Sequence, residues 1–173
     1  MEHRDSTARS AAQTLVHPIP PTWDERSELL ILGSFPSVKS REMRYFYGHP
    51  QNRFWRVLAA LFDEPFPETV EQRRDLLLRH HIAVWDVIAS CSIVGSSDSS
   101  IRDVRVNDLR PILDGAPIRR IYTNGGKAGE LYRRFSQPLT GRPAIVLPST
   151  SPANAAWSLD RLVETWGAQL LEK

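Results

Sequence analysis

The stretch Ile31–Trp55, ILGSFPSVKSREMRYFYGHPQNRFW, gathers residue types suited to holding a flat polar ligand. Gly33 permits close backbone approach and Pro36 stiffens the turn, so the N–H groups around Ser34 and Phe35 could hold a carbonyl oxygen or a water. Tyr45, Phe46 and Tyr47 offer rings that either stack on a heterocycle or pack against Phe54 and Trp55. Asn52 either caps the helix that follows or presents an amide to a base edge or a water. Arg53 suits a surface carboxylate or a DNA phosphate. His49 anchors its turn or touches substrate. Asp86 closes the apolar run IAVWD, where a carboxylate could pair with an arginine, cap a turn or act on a ligand. The run Pro148–Asn154, PSTSPAN, carries small side chains that can enter a groove, and its N–H groups could bind a phosphate. Its plain alternative is a rigid connector with Ser and Asn caps.

Composition narrows the classes. A chain of 173 residues with 41% apolar content fits one domain with a real core and excludes wholesale disorder. The lone Cys91 excludes an intrachain disulfide and a cysteine-based zinc or iron–sulfur cluster, and the five histidines show no metal-ligand spacing. No secretory signal or membrane-spanning run is visible, so a reduced cytoplasmic compartment is expected. Net charge is only +2, yet just three of the 22 basic residues are lysines. The arginine fork suits phosphates, although base composition of the genome also enriches arginine.

Elements follow from periodicity. Residues 1–16 are expected to be a flexible tail and 17–173 a single domain, entered by the proline-rich HPIPPTWDERSE. The continuous apolar run at 29–32 reads as a central strand covered on both faces and 82–87 as a second buried strand, with IRRIYTNG (118–125) as the third strand and 144–147 as the fourth. Helical spacing covers 52–62, 69–80 and a C-terminal segment with Leu159, Leu162, Val163 and Trp166. Asn107 and Asp108 are candidate caps for a helix containing Leu109 and Leu113, and Gly125-Gly126 turns into KAGELYRRF. CSIVGSSDSSI (91–101) reads as a Gly/Ser-rich loop, longer than most connections and of a kind that is often functional. Four strands alternating with helices predict an α/β fold, a three-layer αβα sandwich on a central four-stranded parallel sheet. Ligands in such sheets bind beyond the carboxyl ends of the strands. Those ends are GSFPS, WDVIASC, TNGGK and PSTSPAN, all rich in small, polar and turn-forming residues. Neither a phosphate-binding nucleotidase loop, a dinucleotide fingerprint nor a nucleophile elbow is present.

LILGSFPSVKSRE, FYGHPQNRFW, HHIAVWDVIASCSIVGSSDSSI, NDL, TNGGKA and LPSTSPANAAW, in this order over most of 29–157, resemble the hypoxanthine/uracil-DNA glycosylase (DNA-deoxyinosine glycosylase) branch of the uracil-DNA glycosylase superfamily. The long FYGHPQNRFW run and the STSPAN loop are the specific parts. The resemblance implies a monofunctional DNA glycosylase that excises deaminated bases, hypoxanthine or uracil, from DNA and leaves an abasic site for base excision repair. It also implies the uracil-DNA glycosylase-like fold. Gly33–Ser37 match the first catalytic motif and Ser149–Asn154 the second, the loop that enters DNA beside a flipped nucleotide. Tyr47 matches the base-stacking aromatic and Asn52 the asparagine implicated in catalysis. The third residue of the first motif, often an Asp or Asn that positions water, is Phe35. Asn52 or Ser151 with backbone groups must then serve, so these two are the expected catalytic residues.

The expected base contacts are Gly33, Ser34, Phe35, Pro36, Tyr47, His49, Asp86 and Asn124. Expected DNA contacts are Lys39, Arg53, Ser149, Thr150, Pro152, Ala153 and Asn154. No metal or organic cofactor is called for, the partner is DNA carrying deaminated or mismatched bases, and action as a monomer is the default. The rival expectations are a mismatch-specific uracil glycosylase and a non-catalytic DNA-damage-binding module.

Overall fold

The structure, a computed structural model, describes residues 13–94 and 101–172. Its strands are Gln13–Val16 (β1), Leu29–Gly33 (β2), Ile82–Asp86 (β3), Ile88–Ile93 (β4), Arg102–Val106 (β5), Arg120–Asn124 (β6) and Ile145–Leu147 (β7). The α-helices are Val38–Met43 (α1), Phe54–Leu61 (α2), Val70–Arg79 (α3), Arg110–Gly115 (α4), Gly126–Leu131 (α5), Gln137–Thr140 (α6) and Leu159–Leu170 (α7), with a π-helical stretch Tyr132–Ser136 between α5 and α6.

The four predicted strands form one parallel sheet in the order β3-β2-β6-β7. Central β2 is buried at every residue, which explains its unbroken apolar run. Alternation within it divides the core. Leu29 and Ile31 join Phe54, Trp55, Leu58, Leu77, Leu162 and Trp166 on the face covered by α2, α3 and α7. Leu30 and Leu32 join Ile112 and Leu131 on the face of α4 and α5. A capping box starts α3: Thr69 accepts the Gln72 N–H and Gln72 reaches back to the Thr69 N–H.

Register places the site. Gly33 pairs with Asp86 and Asn124 with Leu147, so the first motif lies beside Asp86 and Asn124 beside the start of the PSTSPAN loop. Three buried or half-buried indoles fasten the neighbouring segments. Trp55 donates to Phe46 O at 3.1 Å, Trp85 to Ile19 O at 2.9 Å and Trp166 to Pro148 O at 2.9 Å.

Three expectations change. Gln13–Val16, placed in the expected tail, pair antiparallel with β4 in a second sheet, β1-β4-β5, and residues 1–12 lie outside the described residues. Only Leu15 of that short strand packs on the core, so no local periodicity announces it. Of the expected Gly/Ser loop, Cys91–Ile93 instead continue β4, and residues 95–100 lie outside the described residues. Asn107 caps no helix; its amide donates to Asp86 O at 2.9 Å and Ile88 O at 3.1 Å, and pins the turn after β3. Among the described residues, no helix is long and apolar enough to cross a membrane.

Candidate active site

A pocket of about 250 Å³ opens at the carboxyl ends of β2, β3 and β6. Its walls include Gly33, Ser34, Phe35, Pro36, Tyr47, His49, Asp86 and Asn124, together with Asn52 and Ser149–Pro152. Every expected base contact and both expected catalytic residues therefore line one cavity. Its volume lies just under the roughly 300–1,000 Å³ of drug-sized pockets, a scale suited to one nucleobase.

The floor is built by close approach. A Cβ on Gly33 would stand 2.3 Å from Asp86 Oδ1 and 3.0 Å from the Tyr47 hydroxyl, so only glycine lets these two polar groups converge there. Tyr47 holds a left-handed backbone (φ 53°), a conformation that costs a non-glycine residue on the order of 1–3 kcal/mol and clusters at functional sites. Its ring stacks on Phe54 at 4.0 Å between centroids. Its hydroxyl is buried without a hydrogen bond of proper geometry. Burial first, and the Asp86 charge second, push this phenol well above its ordinary pKa, while the nearby Asn124 side chain pulls slightly the other way. The group stays a protonated donor.

Asp86 is held from behind. His17 Nε2 and Asp86 Oδ2 are 2.7 Å apart, with side chains only 2% and 5% exposed. Nδ1 of His17 accepts the Ile19 N–H at 3.1 Å, so the neutral ring carries its proton on Nε2 and donates it to the carboxylate. Phe35 meets His17 edge-on at 5.8 Å. The phenyl at the third position of the first motif is thus an apolar wall. The N–H groups of Ser34 and Phe35 make no internal hydrogen bond among the described residues, consistent with their expected role as donors.

Asn52 is frozen by a relay. Asn124 Nδ2 donates to Thr150 Oγ1 at 2.9 Å, which donates in turn to Asn52 Oδ1 at 2.9 Å. The Phe54 N–H also reaches Asn52 Oδ1, at 2.9 Å. The Phe54 contact meets the helix-capping expectation for Asn52, which also lines the pocket. Oδ1 has both lone pairs engaged, so the chemistry left to this side chain is donation from Nδ2.

The second motif is a clamped loop. Arg53 donates to Ser151 O at 3.0 Å, Asn154 O at 3.1 Å and Thr150 O at 3.4 Å, and to Trp157 O. Ser149 Oγ accepts the Ser151 N–H, and Ser151 Oγ the Ala153 N–H. Asn154 Nδ2 donates to Ser149 O. Two expected DNA contacts are corrected by this geometry. Thr150 is wholly buried and bonded on both sides, and cannot touch a phosphate. Arg53 spends its guanidinium on loop carbonyls, which shape the loop instead. Pro152 and Ala153 stand exposed at its tip, and Lys39, half-exposed, lies 3.9 Å from Glu42 on α1. His49 is exposed at the rim, with Nδ1 taking the Gln51 N–H.

Sequence reasoning missed His17, Asn107 and the structural part of Thr150. His17 sits 69 residues from Asp86, in a proline-rich approach, and no spacing signal links them. The aromatic Trp85 just before Asp86, which anchors Ile19, was the one local hint that the N-terminal segment crosses this strand end.

Residues 20–168 match the family model described as the uracil DNA glycosylase superfamily. A protein of Methanosarcina acetivorans named hypoxanthine DNA glycosylase is 38% identical over 151 residues, 86% of this chain and 94% of that protein. One of the same name from Methanosarcina barkeri is 36% identical over 137 residues, 78% of this chain and 85% of its own. A solution NMR structure from M. acetivorans, described as a candidate uracil DNA glycosylase, superposes with a TM-score of 0.76 at 36% identity, covering 90% of this chain and 97% of its own. The family match spans the sheet, the clamped loop and the pocket between them: the chain belongs to the uracil DNA glycosylase superfamily.

Proposed function

We propose that this protein is a monofunctional DNA glycosylase that hydrolyses the N-glycosidic bond of a deaminated base, hypoxanthine or uracil, and leaves an abasic site for base excision repair. The observation that carries the reading is the pocket itself. It is base-sized, opens at the strand tips beside an exposed loop apex, and is walled by fixed donors, a carboxylate and one stacked ring. The relatives' name, hypoxanthine DNA glycosylase, supports hypoxanthine as the leading substrate.

The duplex would be gripped by backbone N–H groups, Lys39 and the tip of the 149–154 loop, with Pro152 and Ala153 beside the gap. Rotating the nucleotide out costs a few kcal/mol, less at a deaminated mispair, which gives the first selection. In the pocket the base lies against Tyr47 and above Gly33, its oxygens facing the N–H groups of Ser34 and Phe35. The C1′–N bond stretches before water attacks, leaving positive character on the sugar and negative charge on the departing base. Asn52 Nδ2 donates to the base oxygen or to the water, and the Ser151 hydroxyl, whose oxygen already accepts from Ala153, keeps its proton for the same use. Preorganised donors of this kind are worth about 10²–10³ in rate each. The enzyme would act as a monomer, since one flipped nucleotide fills one pocket.

A denaturing-gel assay on duplexes with inosine, uracil or xanthine opposite each normal base tests the reading. Alkali-labile strand breaks at the lesion are expected, fastest with inosine. Tight, salt-dependent binding without any abasic product would instead make the protein a damage-binding module.

A further inference from the structure

Thr150 has each of its polar groups engaged, and the directions of those bonds form a chain of forced choices. Its N–H donates to Asn124 Oδ1 at 3.0 Å. The Asn124 amide must then turn its nitrogen to the Thr150 hydroxyl, where Nδ2 donates to Oγ1 at 2.9 Å. A hydroxyl that accepts there keeps its single proton for its other neighbour, Asn52 Oδ1, at 2.9 Å. Asn52, which lines the pocket, therefore gives its oxygen to Thr150 and has only Nδ2 left for a ligand. The Phe54 N–H reaches the same oxygen and agrees with that orientation, but it is a single bond about which the amide plane can pivot. Thr150 itself is held in place: it is wholly buried, and its carbonyl takes the Arg53 N–H at 3.0 Å. A backbone N–H of the 149–154 loop thus decides, through this relay, that the Asn52 amide is a donor.

We propose that Thr150 is a positioning residue for excision: its hydroxyl sets the Asn52 amide as a fixed donor, so a side chain of the second-motif loop aims the catalytic group on the far side of the pocket. The inference rests on the reading that Asn52 donates to the departing base or to the water, and it assigns the source of that donor's orientation. A donor already pointing at the developing charge spends nothing on reorientation while the bond breaks. Losing the hydroxyl leaves Asn52 Oδ1 and Asn124 Nδ2 each short of a partner inside the protein. Asn52 is only half-buried, so its relief is to swing its amide toward water and off the reacting atoms. With its own side chain wholly buried, Thr150 acts on the rate through Asn52, and a double-mutant cycle reads that dependence directly.

Single-turnover excision of hypoxanthine at saturating enzyme is measured for three variants. Thr150→Val keeps the shape and removes the hydroxyl, Thr150→Ser keeps the hydroxyl, and Thr150→Cys leaves a thiol that donates weakly. Thr150→Val should be about tenfold slow, Thr150→Cys intermediate and Thr150→Ser within about twofold of native, with DNA affinity held within a few-fold throughout. Should Thr150→Val fail to fold, Thr150→Cys against Thr150→Ser makes the same comparison. In an Asn52→Ala background, Thr150→Val should cost no further rate. A native rate in Thr150→Val overturns the proposal. So does an undiminished loss in the Asn52→Ala background, which is what a merely structural role would give. A second readout needs no activity: nitrogen relaxation of the Asn52 side-chain amide, its signals identified by their loss in Asn52→Ala. Its order parameter should be about 0.85 in the native protein and Thr150→Ser, and below about 0.6 in Thr150→Val. Equal order parameters in all three overturn the proposal whatever the rates. If the native protein excises nothing, the glycosylase reading falls by itself; a drop in Thr150→Val with recovery in Thr150→Ser then still supports the positioning of Asn52.

Discussion

Asn52 concentrates the chemistry that single atoms can perform. Its oxygen is committed to the Phe54 N–H and the Thr150 hydroxyl, so the side chain works as a fixed donor. Replacing it by alanine should cut single-turnover excision of hypoxanthine by about 100-fold or more while DNA affinity stays within a few-fold; unchanged excision under saturating enzyme would remove Asn52 from the mechanism. Gly33 has a sharper constraint. Any side chain there collides with Asp86, so Gly33→Ala should displace the carboxylate and reduce excision at least tenfold, with a folded far-ultraviolet spectrum retained. Tyr47 also carries a linkage. Its phenol titrates higher folded than unfolded because it is buried and faces Asp86. Its contribution to stability is therefore complete below about pH 10, the ordinary phenol value, and is lost as pH rises beyond it. Urea melts from pH 8 to 11 should show the native protein losing stability more steeply toward the alkaline end than Tyr47→Phe, which lacks the titrating group.

The 149–157 loop shows how one half-buried side chain shapes an element. Arg53, at the entrance to α2, ties together the carbonyls of Thr150, Ser151, Asn154 and Trp157, while Trp166 of α7 holds Pro148. Glycine finishes the junction at the other side: Gly125 has φ +95°, and a Cβ there would meet the Ser149 Cβ at 3.0 Å. Lysine cannot replace the arginine fork. Arg53→Lys should lower stability by about 1–3 kcal/mol in thermal or urea unfolding and slow excision, with little change in the salt dependence of DNA binding. A reduced salt slope would return Arg53 to the phosphate-contacting role that its sequence position suggested.

At the scale of the whole molecule, the central sheet was legible because each of its strands is a short apolar run ending in turn-forming residues. In central β2 that pattern arises because both faces are covered, whereas Ile145 and Val146 on edge strand β7 remain exposed. The pocket was legible for the same reason, as the four strand ends gather Gly, Ser, Asn and Pro at one edge. What stayed hidden depends on pairings across long stretches of chain. β1 has too few apolar residues to announce itself and is defined by β4, more than seventy residues away. His17 becomes a partner of Asp86 only once that strand leads the chain across the end of β3, and Thr150 looks like an exposed loop threonine until Asn124 and Asn52 close on it. Core packing fixes these distances. Leu58→Ala, at a fully buried position on α2 in the cluster shared with α7, should cost about 2–5 kcal/mol.

The most direct test of the central claim is a crystal structure of Asn52→Ala bound to a duplex carrying one deoxyinosine. The account predicts the hypoxanthine ring out of the duplex, lying against Tyr47 in the pocket walled by Gly33, Asp86 and Asn124, with the Pro152–Ala153 tip beside the vacated stack. A hypoxanthine still paired in the duplex, or extruded to a place away from Tyr47 and Asp86, would contradict it.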